Sequence, residues 1–363
     1  MQALLVAPPK PGVQLREVPD PSPGPDEVKV RVLECGICRT DRDIVAGRCG
    51  TPPEGRRELV LGHENLGRIV QVGDAVHGLR VGDEVVATVR RGCGICRYCR
   101  TNRSDFCETG LFTERGIKGR DGYLAEFYVE RPDYLVRVPR PHHLSAVLLE
   151  PLSVVEKGVF QAKRVLDRTE VGPGTNGNRL RKALVVGTGA IGMLAALVLA
   201  VEDFEVTAID RQEGGTPVRS LLATIGAQRV EVSAGLSVLG ERRFDLIFDA
   251  TGSAQLDFDL TSRLGPNGVL LVTGISNDTG STVPIPAGEI LRQLVLQNQA
   301  VVGSVNANRR HFETGLRHLT AFRRRWGTVA EQLVSQRRPW TEFASVLVGA
   351  RPESIKTVLT ITN

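Results

Sequence analysis

Aromatic side chains are scarce in this chain: they make up 5% of its 363 residues, with only two tryptophans and four tyrosines. A groove for single-stranded nucleic acid stacks bases on aromatics along a basic track. Here the arginines scatter over the whole length and the formal net charge is a modest +5, so no nucleic-acid partner is expected. Long apolar runs are also missing. Nothing approaches the roughly 18 consecutive apolar residues of a membrane-spanning helix. The opening "MQALLVAPPKPG" is too short and too rich in proline to be a signal peptide's apolar core. The expectation is a cytoplasmic protein with no membrane partner. What remains, 41% hydrophobic and 24% charged residues, is the make-up of a soluble globular protein. The length suits two domains of roughly 100–200 residues each.

Against these absences stand seven cysteines. Four follow the spacing C-x2-C-x2-C-x7-C in "RGCGICRYCRTNRSDFC": Cys93, Cys96, Cys99 and Cys107. In a reducing compartment thiols stay free, so close spacing argues for metal rather than disulfide. Four thiolates satisfy tetrahedral Zn²⁺ and leave no open position, which makes such a site structural. A redox dithiol is the competing reading, but the strand–helix setting of thioredoxin-like motifs is absent around these residues.

The first 140 residues read as mostly β, with alternating runs such as "EVKVRVLECG", "LGRIVQVG", "DEVVATV" and "AEFYVE" between Gly, Pro and Asp turns. The stretch through "LLEPLSVVEKGVFQAKRVL" has helical spacing, and the polar "DRTEVGPGTNGNRL" reads as a surface connection. From Arg181 onward strands and helices alternate: "KALVVG", "FEVTAID", "QRVEV", "FDLIFDATG", "NGVLLVTG" and "NQAVVGSV" are six strands with crossovers, an α/β doubly wound parallel sheet. The tail after Asn306, with "HFETGLRHLTAF" helical, falls outside that pattern and is expected to return to the first domain. No internal repeat is present.

"GTGAIG" supplies Gly187, Gly189, Ala190, Ile191 and Gly192 as G-x-G-x-x-G after an apolar strand and at the start of a helix. Asp210 follows about 20 residues on, at the end of the next strand. Gly187 permits the tight turn, Gly189 lets backbone approach a pyrophosphate, and Gly192 lets helix and strand pack closely. Asp210 suits two ribose hydroxyls and repels a 2′-phosphate, whereas Arg211 beside it would welcome that phosphate. NAD is therefore expected to serve at least as well as NADP.

Candidate ligands for a reactive metal lie elsewhere. "ECGICRTD" carries Cys38 ahead of Thr40 and Asp41, "LGHENLG" carries His63 and Glu64 in a glycine-flanked turn, and "LLEPLSVVEKG" contains Glu150. A thiolate, an imidazole and one or two carboxylates suit Zn²⁺, and three protein ligands leave a position open. Taken singly, Cys38 could equally be a small core hydrophobe and Glu150 a helix N-terminal charge.

"CGICRTD", "GHENLG" with the later "VGDEV", the four-cysteine stretch and "GTGAIG" occur in the order shown by the zinc-dependent medium-chain dehydrogenase/reductase family, which the whole chain resembles. "FTERGIKGRDGYLAEFY", "EPLSVVEKG", "FDATG" and "VGSVNANRRHF" are most similar to its glucose dehydrogenase branch. The resemblance implies a GroES-like, mostly-β catalytic domain with a structural-zinc lobe, residues 1–180 and 306–363. It likewise implies a Rossmann dinucleotide-binding domain, residues 181–305. Cys38, His63 and Glu150 would hold catalytic zinc, with Glu64 a direct ligand or an exchangeable neighbour. Thr40 would open a proton relay, and Thr40, Glu114, Glu150 and Asn306 would contact sugar hydroxyls. Thr251 and Asn306 would join the fingerprint residues at NAD or NADP. Cys93, Cys96, Cys99 and Cys107 would hold structural zinc. The implied reaction is zinc-dependent, NAD(P)-linked oxidation of the anomeric carbon of D-glucose or a close aldose to the lactone, by a homodimer or homotetramer. The sixth strand "AVVGSV", at a sheet edge, is the expected joint because an unpaired edge invites pairing.

The chain departs from that pattern in places. Val89 stands where some glucose-type members have an amide, Gln297 where some have a histidine, and "AIDRQ" lacks the paired arginines of some NADP users. Polyol or alcohol oxidation within the same family is the alternative. A zinc-ribbon nucleic-acid module leaves the dinucleotide fingerprint unexplained, and a zinc-free structural relative leaves Cys38, His63 and Glu150 unexplained. Cys35 and Cys49 match no ligand position and are expected to be core thiols.

Overall fold

The structure, a computed structural model, describes residues 1–169, 180–210, 216–231, 235–276, 282–349 and 354–361. Arg211 and most of the connection "DRTEVGPGTNGNRL" lie outside the described residues. The chain divides into two compact units: Met1–Ser153 with Asn306–Thr320 and Ala330–Asn363, and Val154–Val305 with Ala321–Val329. The first boundary falls inside the helix Leu149–Leu166 rather than at residue 180. In the first unit Leu152 packs where a side chain on Gly315 would sit. In the second, Gly158 lies against Leu271 of the parallel sheet.

The first unit is organised by the strand Val28–Ile37. Val28, Val30 and Val32 are fully buried while Lys29 and Arg31 point outward, the period-two pattern of a half-buried strand. It pairs antiparallel with Glu64–Val72 on one side and Phe127–Glu130 and Lys356–Thr360 on the other. The strand Val334–Pro339 adds to Lys356–Thr360 in parallel, so the end of the chain completes a sheet begun near its start. Ile69, Val85, Tyr123, Leu124, Leu135 and Leu359 fill the core beneath.

Leaving this sheet, Arg90–Arg91 pairs antiparallel with Thr113–Arg115, and the four cysteines occupy the lobe between. The base of the lobe is clamped by charge. Glu130, 1% exposed, accepts hydrogen bonds from Arg91 on the entering strand and from Arg115 Nη2 on the leaving one, the latter at 2.9 Å. Burial alone would raise the Glu130 pKa, but the two guanidinium groups outweigh it and bring it down to about 2.

The second unit carries a six-stranded, all-parallel sheet in the order Gln228–Glu231, Phe204–Asp210, Arg181–Val186, Phe244–Asp249, Leu264–Val272, Ala300–Gly303. Each of the six strands read from the sequence is present. Numbered by sequence, this is the order 3-2-1-4-5-6 of a doubly wound nucleotide-binding sheet. Ala183, Leu184, Val185 and Val186 are buried without alternation, as a strand covered on both faces must be.

Candidate active site and metal centres

Cys38 sits at the N-cap of the short helix Arg39–Val45. Its Sγ accepts the Thr40 N–H at 3.2 Å, and the Asp41 carboxylate reaches back to the Cys38 N–H at 2.9 Å, a capping box with sulfur in the place of a hydroxyl. This arrangement leaves the thiol aimed at His63, whose Nε2 is 3.1 Å away. His63 follows Gly62, where φ is +95° and a Cβ would come within 2.9 Å of the buried Cys35 sulfur, so glycine is required for the approach. Glu64 pairs in register with Gly36, and its carboxylate fills the space that a side chain at Gly36 would take.

Metal-donor atoms of Cys38, His63 and Glu64 all lie within 4.8 Å of one another. Thiolate, imidazole and carboxylate are a donor set that suits Zn²⁺, and three ligands leave a fourth position for substrate. The surroundings fit a cation. His63 Nδ1 lies 3.2 Å from Asp41 Oδ1, both atoms buried and without an aligned hydrogen bond. Burial would lower the His63 pKa, but the Asp41 charge and the Cys38 sulfur outweigh it and hold it well above the usual imidazole value. Asp41 answers in kind: burial would raise it, and the facing imidazole brings it below the ordinary carboxylate range. A carboxylate behind a ligating imidazole fixes its tautomer and ring orientation.

Glu150 stands outside the three-donor group but within reach of the charges of His63, Glu64, Lys356 and Asp41; enclosure by the protein pushes its pKa up to about 7. Lys356, 3% exposed, forms an ion pair with Glu64, whose charge keeps the ammonium protonated against the effect of burial. Asp41 and Lys356 are the residues that motif reading missed. Asp41 was signalled by its place three residues after Cys38, but Lys356 arrives from a strand almost 300 residues away and has no local mark.

Glu114 and Asn306 come together as well: Asn306 Nδ2 donates to Glu114 Oε1. Asn306 holds φ at +60°, braced by the Ala307 N–H, which donates to its Oδ1 at 2.7 Å. Val89 is buried, with its carbonyl accepting the Arg115 N–H. Gln297 lies in the other unit, exposed at the C-cap of the helix Ala287–Leu296. Cys35 is the core thiol expected, its pKa raised mainly by burial. Cys49 is not: it is exposed, because it lies in the turn after the helix that Cys38 caps.

In the lobe, donor atoms of Cys93, Cys96, Cys99 and Cys107 are also mutually within 4.8 Å. The Cys96 N–H points at Cys93 Sγ and the Cys99 N–H at Cys96 Sγ, at 3.5 and 3.4 Å. Hydrogen bonding to Thr109 and backbone brings Cys93 down to about 6, while burial and neighbouring thiols push Cys99 up to about 12. Four sulfurs so close cannot all ionise unless a cation joins them, and the donor set suits tetrahedral zinc. All seven cysteines are free thiols.

In the second unit Gly187 takes φ +89°, and a Cβ on Gly192 would collide with the Gly187 carbonyl. Gly189 caps the helix Ala190–Val201 without a side-chain bond and has open space where a Cβ would be. The helix N–H groups are thus presented to an anion. Asp210, at the end of its strand, accepts from Thr188 N at 2.8 Å and Thr188 Oγ1 at 2.6 Å. Thr251 is tied to Asp249 through Oγ1 at 2.7 Å and N at 3.1 Å.

Comparison with known proteins agrees with this geometry. Residues 144–361 match the model of the glucose dehydrogenase C-terminus, and residues 24–140 that of the alcohol dehydrogenase GroES-like domain. The glucose 1-dehydrogenase of Methanocella arvoryzae is 39% identical over 326 residues, covering 88% of this chain and 89% of its own. That of Thermoproteus tenax is 39% identical over 324 residues, covering 88% of each. The structure of Haloferax mediterranei glucose dehydrogenase in complex with NADP, Zn and gluconolactone superposes with a TM-score of 0.88, at 31% identity over 100% of both chains. The chain belongs to the glucose dehydrogenase branch of the zinc-dependent medium-chain dehydrogenases, an α/β protein with a GroES-like domain and a Rossmann domain.

Proposed function

We propose that this protein is a zinc-dependent, NAD(P)-linked glucose 1-dehydrogenase that oxidises C1 of D-glucose or a close aldose to the aldonolactone. The observation that carries this reading is the convergence of Cys38, from one segment, with His63 and Glu64, adjacent in another. Relatives named for that activity and the gluconolactone-bound neighbour support it.

When bound, zinc supplies Lewis acidity toward the sugar oxygen and the nicotinamide supplies a hydride acceptor. The rest falls to the chain. Cys38 and His63 would hold the catalytic metal, with Glu150 as the carboxylate ligand and Glu64, beside them here, as direct ligand or exchangeable neighbour, and Asp41 would keep the His63 ring in place. Thr40 is the first hydroxyl to take the substrate's proton. Glu114, Glu150 and Asn306 orient the sugar. Gly187, Gly189, Ala190, Ile191 and Gly192 seat the pyrophosphate, Asp210 the adenine ribose, and Thr251 and Asn306 the nicotinamide end; Arg211 stands beside Asp210 in the sequence. Loss of one hydride and one proton from C1–OH balances the conversion to lactone.

Oxidation rates over a panel of aldoses, polyols and primary alcohols test the assignment. D-glucose or a close aldose is expected to lead, and a polyol or primary alcohol outrunning every aldose overturns it. Steady-state kinetics with both cofactors are expected to show NAD used at least as well as NADP, and a hundredfold preference for NADP would refute that.

Among the described residues, no helix is long and apolar enough to cross a membrane. The seven free thiols support a cytoplasmic setting. The strand Ala300–Gly303 ends the parallel sheet, and nearby Leu291, Val295, Leu296 and Val301 are more than half exposed. An open edge beside apolar side chains favours pairing with a second copy of this chain. Sizing by light scattering is expected to give a dimer or tetramer.

A further inference from the structure

We propose that Arg90 is a positioning residue for substrate selection: it fixes the orientation of the Glu114 carboxylate and ties that acceptor to the four-cysteine lobe. The inference rests on the aldose reading above and adds to it the means by which one hydroxyl is recognised.

Arg90 is 9% exposed, and its Nε and Nη2 both donate to Glu114 Oε1, at 3.0 and 2.9 Å. Its guanidinium carbon lies 3.7 Å from the centroid of the Phe112 ring, which holds the plane of the fork. Nη1 reaches the Asp105 carbonyl at 3.4 Å. Asp105 belongs to the lobe, between Cys99 and Cys107, and its Oδ1 accepts from Asn308 Nδ2 at 2.8 Å. Two residues before Asn308, Asn306 donates to the same Oε1 of Glu114.

A single carboxylate oxygen therefore takes three donors, two of them from a cation. Among the described residues no hydrogen bond engages Oε2, which is left to accept from a ligand. Three donors on Oε1 hold the Glu114 carboxylate in one orientation before substrate arrives. A sugar hydroxyl donating to Oε2 meets a preformed acceptor, and a sugar lacking that hydroxyl leaves the carboxylate unpaired, which is the stronger source of discrimination. Lysine cannot reproduce the planar, stacked fork. The lobe thus does more than pin a loop. Through Asp105 it braces Arg90, which holds the acceptor, and Asn308, two residues after the Asn306 that donates to it.

The test is a panel of monodeoxy-glucoses with wild type, Arg90→Met and Arg90→Lys, read as kcat and KM separately. Wild type is expected to discriminate against at least one deoxy sugar. Arg90→Met should erode that one ratio by roughly 10- to 100-fold, the worth of a hydrogen bond to a charged group, mostly through KM, with the other ratios kept. Arg90→Lys should recover only part. An Arg90→Met enzyme that leaves every ratio unchanged, or lowers all substrates by one factor, overturns the proposal. Should Arg90→Met fail to fold by circular dichroism, Phe112→Leu, which frees the guanidinium without removing its charge, must shift the same ratio, and no shift is equally fatal. A wild type that oxidises no aldose defeats the underlying reading instead.

Discussion

The two candidate metal sites of the first unit are built in opposite ways. The four-cysteine site draws every donor from Cys93 to Cys107, one continuous stretch in which the four cysteines are half-buried to buried. The three-donor centre draws Cys38 from a helix cap, His63 and Glu64 from a glycine turn and the strand after it, and charged partners from Asp41 and, far along the chain, Lys356. The first can assemble as the loop closes locally. The second exists only once the strands of Val28–Ile37, Glu64–Val72 and Lys356–Thr360 are in register. One arrangement uses up every coordination position; the other leaves one for chemistry.

The sharpest way to break this comparison is to remove one sulfur from each site. Cys38→Ala should lower sugar oxidation by about a thousandfold or more, since a Lewis acid supplies several kcal/mol of barrier lowering. Metal analysis should fall from about two zincs per chain to about one while circular dichroism is unchanged. Cys93→Ser should do the reverse: one zinc lost and a melting temperature several degrees lower, with activity per folded molecule falling far less than in Cys38→Ala.

The clamp beneath the lobe comes next. Glu130→Gln leaves Arg91 and Arg115 buried without their shared counterion and should cost about 3–5 kcal/mol, measured by denaturant unfolding. The sign of its pH dependence follows from the same pair. With a folded pKa of about 2 against roughly 4.3 unfolded, the wild-type clamp contributes fully above the unfolded value. That contribution fades as pH falls through about 4 toward 2. In Glu130→Gln this part of the acid sensitivity should vanish, and an unaltered acid transition would show that the clamp carries no such load.

The smallest effect is the most selective. Asp41→Asn keeps the cap geometry but removes the charge behind His63, and should weaken catalytic-zinc affinity by about 10- to 100-fold with the lobe's zinc retained. Chelator titration with zinc analysis separates the two populations.

Much of this was legible from residue order. The "GTGAIG" turn, the six apolar strands and the C-x2-C-x2-C-x7-C spacing are local patterns, and each appears where expected. Cys38, His63 and Glu64 were readable as suitable donors, but nothing local said that they meet. Lys356 carried no signal, because its partner is brought to it by strand pairing between Gly36 and Val358 on one side and Gly36 and Glu64 on the other. Arg90 was hidden for a similar reason: in a chain with scattered arginines, only the fold shows which guanidinium lies on Phe112 and faces Glu114. The expectation for Cys49 failed because hydrophobicity alone does not report that a residue falls in an exposed turn.

By itself the sequence determined whatever depends on spacing along a few residues: a phosphate turn, a zinc lobe, parallel strands buried on both faces. These rest on sterics and ligand geometry that act within one loop of chain. Only the tertiary structure decided which distant charges face one another. Glu64 against Lys356, His63 against Asp41, and Arg90 against Glu114 depend on register and burial, and it is burial, by removing water, that turns such pairings into fixed orientations.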